Sequence, residues 1–158
     1  MSRVMKIVAA GALLAGCAPA SAGGEAGVPG DTLRGTLRVV GSEPATRFVL
    51  RPARGDPVTL LGERALLERL AGLEVMVAGE VEPSGRFRVA RAAVRAADGV
   101  PAVDGVLARD GEGYALVTAD GRRLAVGRLP EALRSRVGAR VWLAGPLDRP
   151  EAFGVITP

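Results

Sequence analysis

Slid on itself by 66 positions with no gap, this sequence brings glycines and apolar residues into register over most of its length, and that repeat constrains the fold more than any single motif. Phe48 falls on Tyr114, Leu50 on Leu116, Gly55 on Gly121 and Leu67 on Leu133. Gly72 falls on Gly138, Val75 on Val141, Ala78-Gly79 on Ala144-Gly145, Phe87 on Phe153 and Val89 on Val155. Upstream, Gly35 and Leu37 match Gly105 and Leu107 only at a shift of 70, which places four extra residues in the opening loop of the first half. Each half must therefore adopt the same order of elements within about 65 residues.

That order is one of short strands around one short helix. In residues 32–40, Leu33, Gly35, Leu37 and Val39 alternate with polar neighbours, the period of two expected of a half-buried strand. Residues 47–51 and 57–61 read as the next two strands, joined at Arg54-Gly55-Asp56. A helix is expected at 63–70, with Leu66, Leu67 and Leu70 on one side and Gly72 placed to end it. Residues 74–81 and 86–93 complete the set. The second half repeats it at 102–109, 114–118, 122–126, 140–147 and 152–157, with Asp120-Gly121 as a hairpin turn. Its helix opens near Pro130, carries Leu129, Leu133 and Val137 at spacings of four, and stops at Gly138.

Three strands, a helix and two more strands is the element order of the OB-fold, a five-stranded Greek-key barrel. Residues 32–157 thereby resemble the tandem OB-like barrels of exported bacterial proteins, several families of which have no assigned function. The resemblance implies a mainly β chain of two small barrels, at 31–99 and 100–158, each with its helix between strands three and four. SH3-like barrels or one merged β-sandwich are the architectural alternatives. Halves of this size, with few aromatics and no disulfide, have marginal cores alone, so they are expected to pack together across a short connection at 96–101.

Residues 1–17 have the three parts of a secretory signal. Arg3 and Lys6 form a positive n-region, residues 7–14 an apolar stretch too short to span a bilayer, and small residues follow. Leu14-Ala15-Gly16-Cys17 resembles the lipobox of bacterial lipoproteins, in which the cysteine becomes residue one and carries the lipid. The resemblance implies cleavage after residue 16, acylation of Cys17 and attachment to a membrane, since each buried methylene contributes about 0.8 kcal/mol and more than one chain makes the anchor stable. Ala18 is not the aspartate that this family associates with inner-membrane retention, which implies the outer membrane, facing the periplasm. The competing reading is Ala20-Ser21-Ala22, an ordinary A-x-A cleavage site that would release a soluble periplasmic or secreted chain. Residues 17–30 are small and Pro/Gly punctuated, and read as a tether.

Composition narrows the chemistry. Removing residues 1–16 leaves 19 arginines against 17 acids, interspersed, so no strong field steers the chain onto nucleic acid. Histidine is absent from the sequence, which excludes Ser/His/Asp and Cys/His catalysis and imidazole metal ligation. No cofactor fingerprint is present. Three candidate features remain beside Cys17. Arg34, Arg38, Arg47 and Arg51 share the outward parity of the first two strands and form a candidate anion face, set against a merely solvated one. Trp142, opposite in parity to Val141 and Leu143, is a candidate partner surface, set against packing on the neighbouring half. Asp110, Glu112 and Asp120 cluster in loops but match no cation loop. The expectation is a lipid-anchored envelope protein with a non-catalytic binding or scaffolding role, joined to the membrane through Cys17 and to an envelope partner. The alternatives are a soluble module that binds an anionic lipid headgroup, glycan or nucleic acid, and a hydrolase using carboxylates alone.

Overall fold

The computed structural model describes residues 30–158; the expected export segment, Cys17 and nearly all of the expected tether lie outside the described residues. The first half contains β1 (Asp31–Val40), β2 (Arg47–Arg51), β3 (Val58–Leu61), α1 (Arg64–Leu70), β4 (Glu74–Val81) and β5 (Phe87–Ala97). The second contains β6 (Val100–Asp110), β7 (Gly113–Val117), β8 (Arg123–Val126), α2 (Glu131–Arg134), β9 (Arg140–Ala144) and β10 (Ala152–Thr157). The chain is mainly β, and all ten strands belong to one sheet, antiparallel except where Leu60 and Leu61 of β3 run parallel to Phe87 and Arg88 of β5.

The repeat read from sequence reappears at the level of individual backbone bonds. Gly72 donates its N–H to the Leu37 carbonyl at 2.8 Å, and Gly138 donates to Leu107 at 2.8 Å. Leu37 donates to Leu73 at 3.0 Å, and Leu107 to Ala139 at 2.9 Å. Gly72 and Gly138 hold φ of 89° and 92°, a left-handed conformation that glycine adopts without a Cβ clash, so both helices turn back onto the first strand of their half. A Cβ on Gly35 would sit 2.4 Å from the Arg51 carbonyl oxygen, and one on Gly105 would sit 2.5 Å from that of Val117. Both glycines admit the backbone of the next strand at a bend no larger residue permits. The four extra residues lie in the opening loop as expected: Gly41 to Thr46 separate β1 from β2, whereas Gly111 and Glu112 alone separate β6 from β7.

The halves differ in closure. In the first, β1 pairs with β2 and β4, β2 with β3, β3 with β5 and β5 with β4, so the path of pairings returns to its starting strand. In the second, β6 pairs with β7 and β9, β7 with β8, and β9 with β10, while no pair joins β8 to β10 among the described residues. The chain leaving β8 bonds instead to the loop before β10: Gly127 donates to Leu147 at 3.0 Å and Arg128 to Asp148 at 2.8 Å.

The expected connection at 96–101 is a correction. β5 and β6 run through it as a hairpin, with Ala97 opposite Val100 and Asp98-Gly99 as the two turn residues. Their φ values of 49° and 81° are those of a type I′ turn, which Asp-Gly favours. The second helix is also shorter than its leucine spacing suggests. It spans one turn, and Val137 is exposed, because Gly138 must fold back to reach Leu107.

The two halves share apolar packing. One cluster gathers Leu37, Leu50, Leu67, Leu70, Val77 and Phe87 of the first half, and it also includes Ala144 and Ile156 from β9 and β10. A second cluster, around Leu107, Leu116, Leu133 and Leu143, belongs to the second half alone. Beyond the two rungs of the β5–β6 ladder, Asp104 takes over: its Oδ1 accepts the Val94 N–H at 2.7 Å, and its Oδ2 accepts Arg140 Nε at 2.8 Å. Arg140 also donates to the Ala92 carbonyl, so this ion pair spans β5, β6 and β9. The Asp104 side chain is only 7 % exposed. We predict that Asp104→Ala, which strands both the Val94 N–H and Arg140, lowers stability by about 2–4 kcal/mol in urea titrations. Arg91→Ala, at an exposed arginine without an ion pair among the described residues, changes it by less than about 0.5 kcal/mol.

Candidate functional site

Alternation along β1 and β2 sets the arginine face. Leu37, Phe48 and Leu50 point inward and are buried, so Arg34, Arg38, Arg47 and Arg51 stand on the other surface, all exposed. The strands meet with Thr36 opposite Arg51 and Arg38 opposite Val49, while β4 places Glu74 opposite Thr36 on the other side. Arg34, Arg38 and Arg51 line a shallow concavity of about 670 Å³ together with Thr36, Pro52 and Glu74. Arg47 lies further along β2, opposite Val40, and does not line it.

Charge within this cleft is partly cancelled. Arg34 Nε donates to Glu74 Oε1 at 2.6 Å, leaving Arg38 and Arg51 without an ion pair among the described residues. An exposed pair of this kind contributes little stability, but it removes one positive charge from the cleft's field. The cleft therefore presents two free guanidinium groups beside a compensated third, with Arg47 outside it.

A second concavity, of about 580 Å³, was not anticipated from the sequence. It lies between the β6–β7 turn and the connection from β8 into α2, and is lined by Arg109, Glu112, Tyr114, Arg128, Leu129 and Arg134, with Gly113 and Gly127 between them. Arg109 sits over the Tyr114 ring, 4.5 Å from its centroid, a cation–π contact that orients the guanidinium. A sequence signal did exist: at the 66-residue shift, Arg128 and Arg134 replace Gly62 and Glu68.

Two of the three loop acids are engaged by arginine. Asp110 meets Arg123 at 3.3 Å, and Asp120 meets Arg122 at 2.8 Å. The Thr118 hydroxyl, then Arg122, hold the Asp120 carboxyl below its ordinary range. Its contribution to the β7–β8 hairpin is therefore present above the usual aspartate pKa and fades as pH falls through the lowered value.

Trp142 is half-buried and packs against the first-half cluster, with part of its surface left open. It stands opposite Asp104 on one side and Gly154 on the other. A Cβ on Gly154 would lie 2.5 Å from the indole Nε1, so the ring lies across the glycine. Leu14, Ala15, Gly16 and Cys17, which resemble a lipobox, lie outside the described residues. We predict that Gly154→Ala pushes the indole outward, seen as a red shift in the emission of this sole tryptophan and a destabilisation of about 1–3 kcal/mol.

No protein-family model matches the chain, and no curated protein matches it.

Proposed function

We propose that this is a lipid-anchored envelope protein whose exported part is a pair of OB-like modules acting by binding or scaffolding, without catalysis. The single observation that carries the address is Leu14-Ala15-Gly16-Cys17 at the end of a short apolar run, with the only cysteine of the chain in the acylated position. The OB-like reading is supported by the pairing path in the first half, β1-β2-β3-β5-β4 and back to β1, which is that of a closed five-stranded Greek-key barrel. The second half keeps the same order but lacks the last pair, and fits an opened version of the unit.

The two concavities differ in how their charge is balanced. Each has one carboxylate, Glu74 or Glu112, and the first of these is bound to Arg34. No helix of the described residues is long and apolar enough to cross a membrane. The acyl chains on Cys17 would hold the protein there, with residues 18–30 as a tether whose root-mean-square reach is about 20 Å.

Intact mass spectrometry of the native membrane fraction tests the address. The expected species begins at Cys17 and carries the mass of its acyl chains, and Cys17→Ala abolishes it. A soluble chain beginning at Gly23 would instead mean that the Ala20-Ser21-Ala22 site is used. A second reading, favoured by the free Arg38 and Arg51 in the first cleft, is recognition of an anionic ligand there. It predicts salt-sensitive retention on anionic vesicles or heparin that weakens about tenfold in the Arg38→Ala, Arg51→Ala double variant, measured at low ionic strength.

A further inference from the structure

The two copies of the repeat treat one seam in opposite ways. In the first half, the space between the opening loop and the helix is closed by its own charges: Arg64 at the start of α1 pairs with Glu43 of the loop and, at 2.7 Å, with Glu68 one turn on. The corresponding seam of the second half is the 580 Å³ concavity. There Arg134 stands where Glu68 does, Arg128 where Gly62 does, and the shortened loop offers only Glu112. Arg109, Arg128 and Arg134 have no ion pair among the described residues, although arginines nearby do: Arg123 is taken by Asp110 and Arg122 by Asp120. Three guanidinium groups around one concavity repel each other, and Glu112, the one carboxylate in the lining, forms an ion pair with none of them.

The parts are held in place from behind. Arg109 rests on Tyr114, whose ring packs on the second apolar cluster. The Arg128 backbone is fixed by its bond to Asp148, and Arg134 follows directly on Leu133, which is buried. Guanidinium forks that line one concavity can match the oxygen geometry of a phosphoryl group. Phenylalanine occupies the Tyr114 position in the first half, at Phe48; the tyrosine adds a phenolic hydroxyl to the same lining.

We propose that this concavity binds a multiply charged phosphoryl group, as on a phosphomonoester or a pyrophosphate, with Arg109, Arg128 and Arg134 as its donors. The site is independent of the anchor and of the cleft at Arg38 and Arg51. Glu112 opposes binding and tunes it.

The test uses the full chain in an uncharged detergent, titrated with sodium pyrophosphate at constant ionic strength, with melting temperature and calorimetric affinity as readouts. Saturable binding is expected, with a rise in Tm that is lost in Arg128→Ala and in Arg134→Ala, each weakening affinity about tenfold or more. Arg134→Glu, which restores the first half's residue, is expected to abolish binding, and Glu112→Gln to strengthen it about two- to fivefold. Without pyrophosphate these arginine variants melt at or above the temperature of the parent, since each relieves repulsion, which separates loss of the site from loss of the fold. Arg91→Ala should bind as the parent does. Absence of saturable binding, or binding unchanged in Arg128→Ala and Arg134→Ala, overturns the proposal. Loss of binding in Arg38→Ala, Arg51→Ala with retention in Arg128→Ala, Arg134→Ala also overturns it and moves the site to the first cleft. A further arm with phosphatidic acid vesicles against phosphatidylcholine vesicles identifies the source. Sedimentation with the former that depends on Arg128 and Arg134 indicates a lipid headgroup, and pyrophosphate binding without it a free phosphorylated molecule; either result carries the proposal.

Discussion

The described residues depend on a first-half core that the first half does not complete alone. A five-stranded unit of about 65 residues, built largely from leucine, valine and alanine, buries too little surface to offset its own ordering entropy comfortably. Here the outer surface of β9 and β10 supplies Ala144 and Ile156 to the first-half cluster, with Trp142 packed against it. Full burial of one such aliphatic chain contributes about 1.5–3 kcal/mol, a large fraction of what a domain of this size retains. The Asp104–Arg140 pair then sets the docking register. A buried ion pair of this kind adds little net stability, but its four bonds to β5, β6 and β9 tolerate one alignment of the halves.

Most of this architecture is legible in the sequence because it rests on glycines that have one job each. Gly35 and Gly105 mark the bend in the first strand, Gly72 and Gly138 the return from the helix, and Gly55 and Gly121 the second turn of each half, so the repeat survives wherever backbone geometry excludes a side chain. Where the signal is hydrophobicity alone, reading is poorer. Val39 has the inward parity of Leu37 yet is exposed, because β4 pairs with β1 only as far as Thr36 and leaves Val39 with a neighbour on one side. The hairpin at Asp98-Gly99 was hidden for the opposite reason: an alanine-rich stretch without alternation carries no period of two, although its turn dipeptide is informative.

The candidate sites divide along the same line. Parity placed Arg34, Arg38, Arg47 and Arg51 on one surface, but only coordinates show that Glu74 compensates Arg34 and that Arg47 stands apart from the cleft. The grouping of Arg109, Arg128 and Arg134 joins a strand, a loop and a helix that no local pattern connects. The difference between the two repeats does connect them. Duplicated units conserve what the fold requires, so positions where charge reverses between copies, such as Glu68 and Arg134, are free of that requirement and available for another use.

The placement of Ile156 has a consequence for the order of events during synthesis. The first-half cluster includes a residue from the last strand described, so an elongating chain that has exposed β1 to β5 still lacks part of its first core. Such a chain remains loosely packed until β10 is available, so the core whose strands are made first is the one completed last.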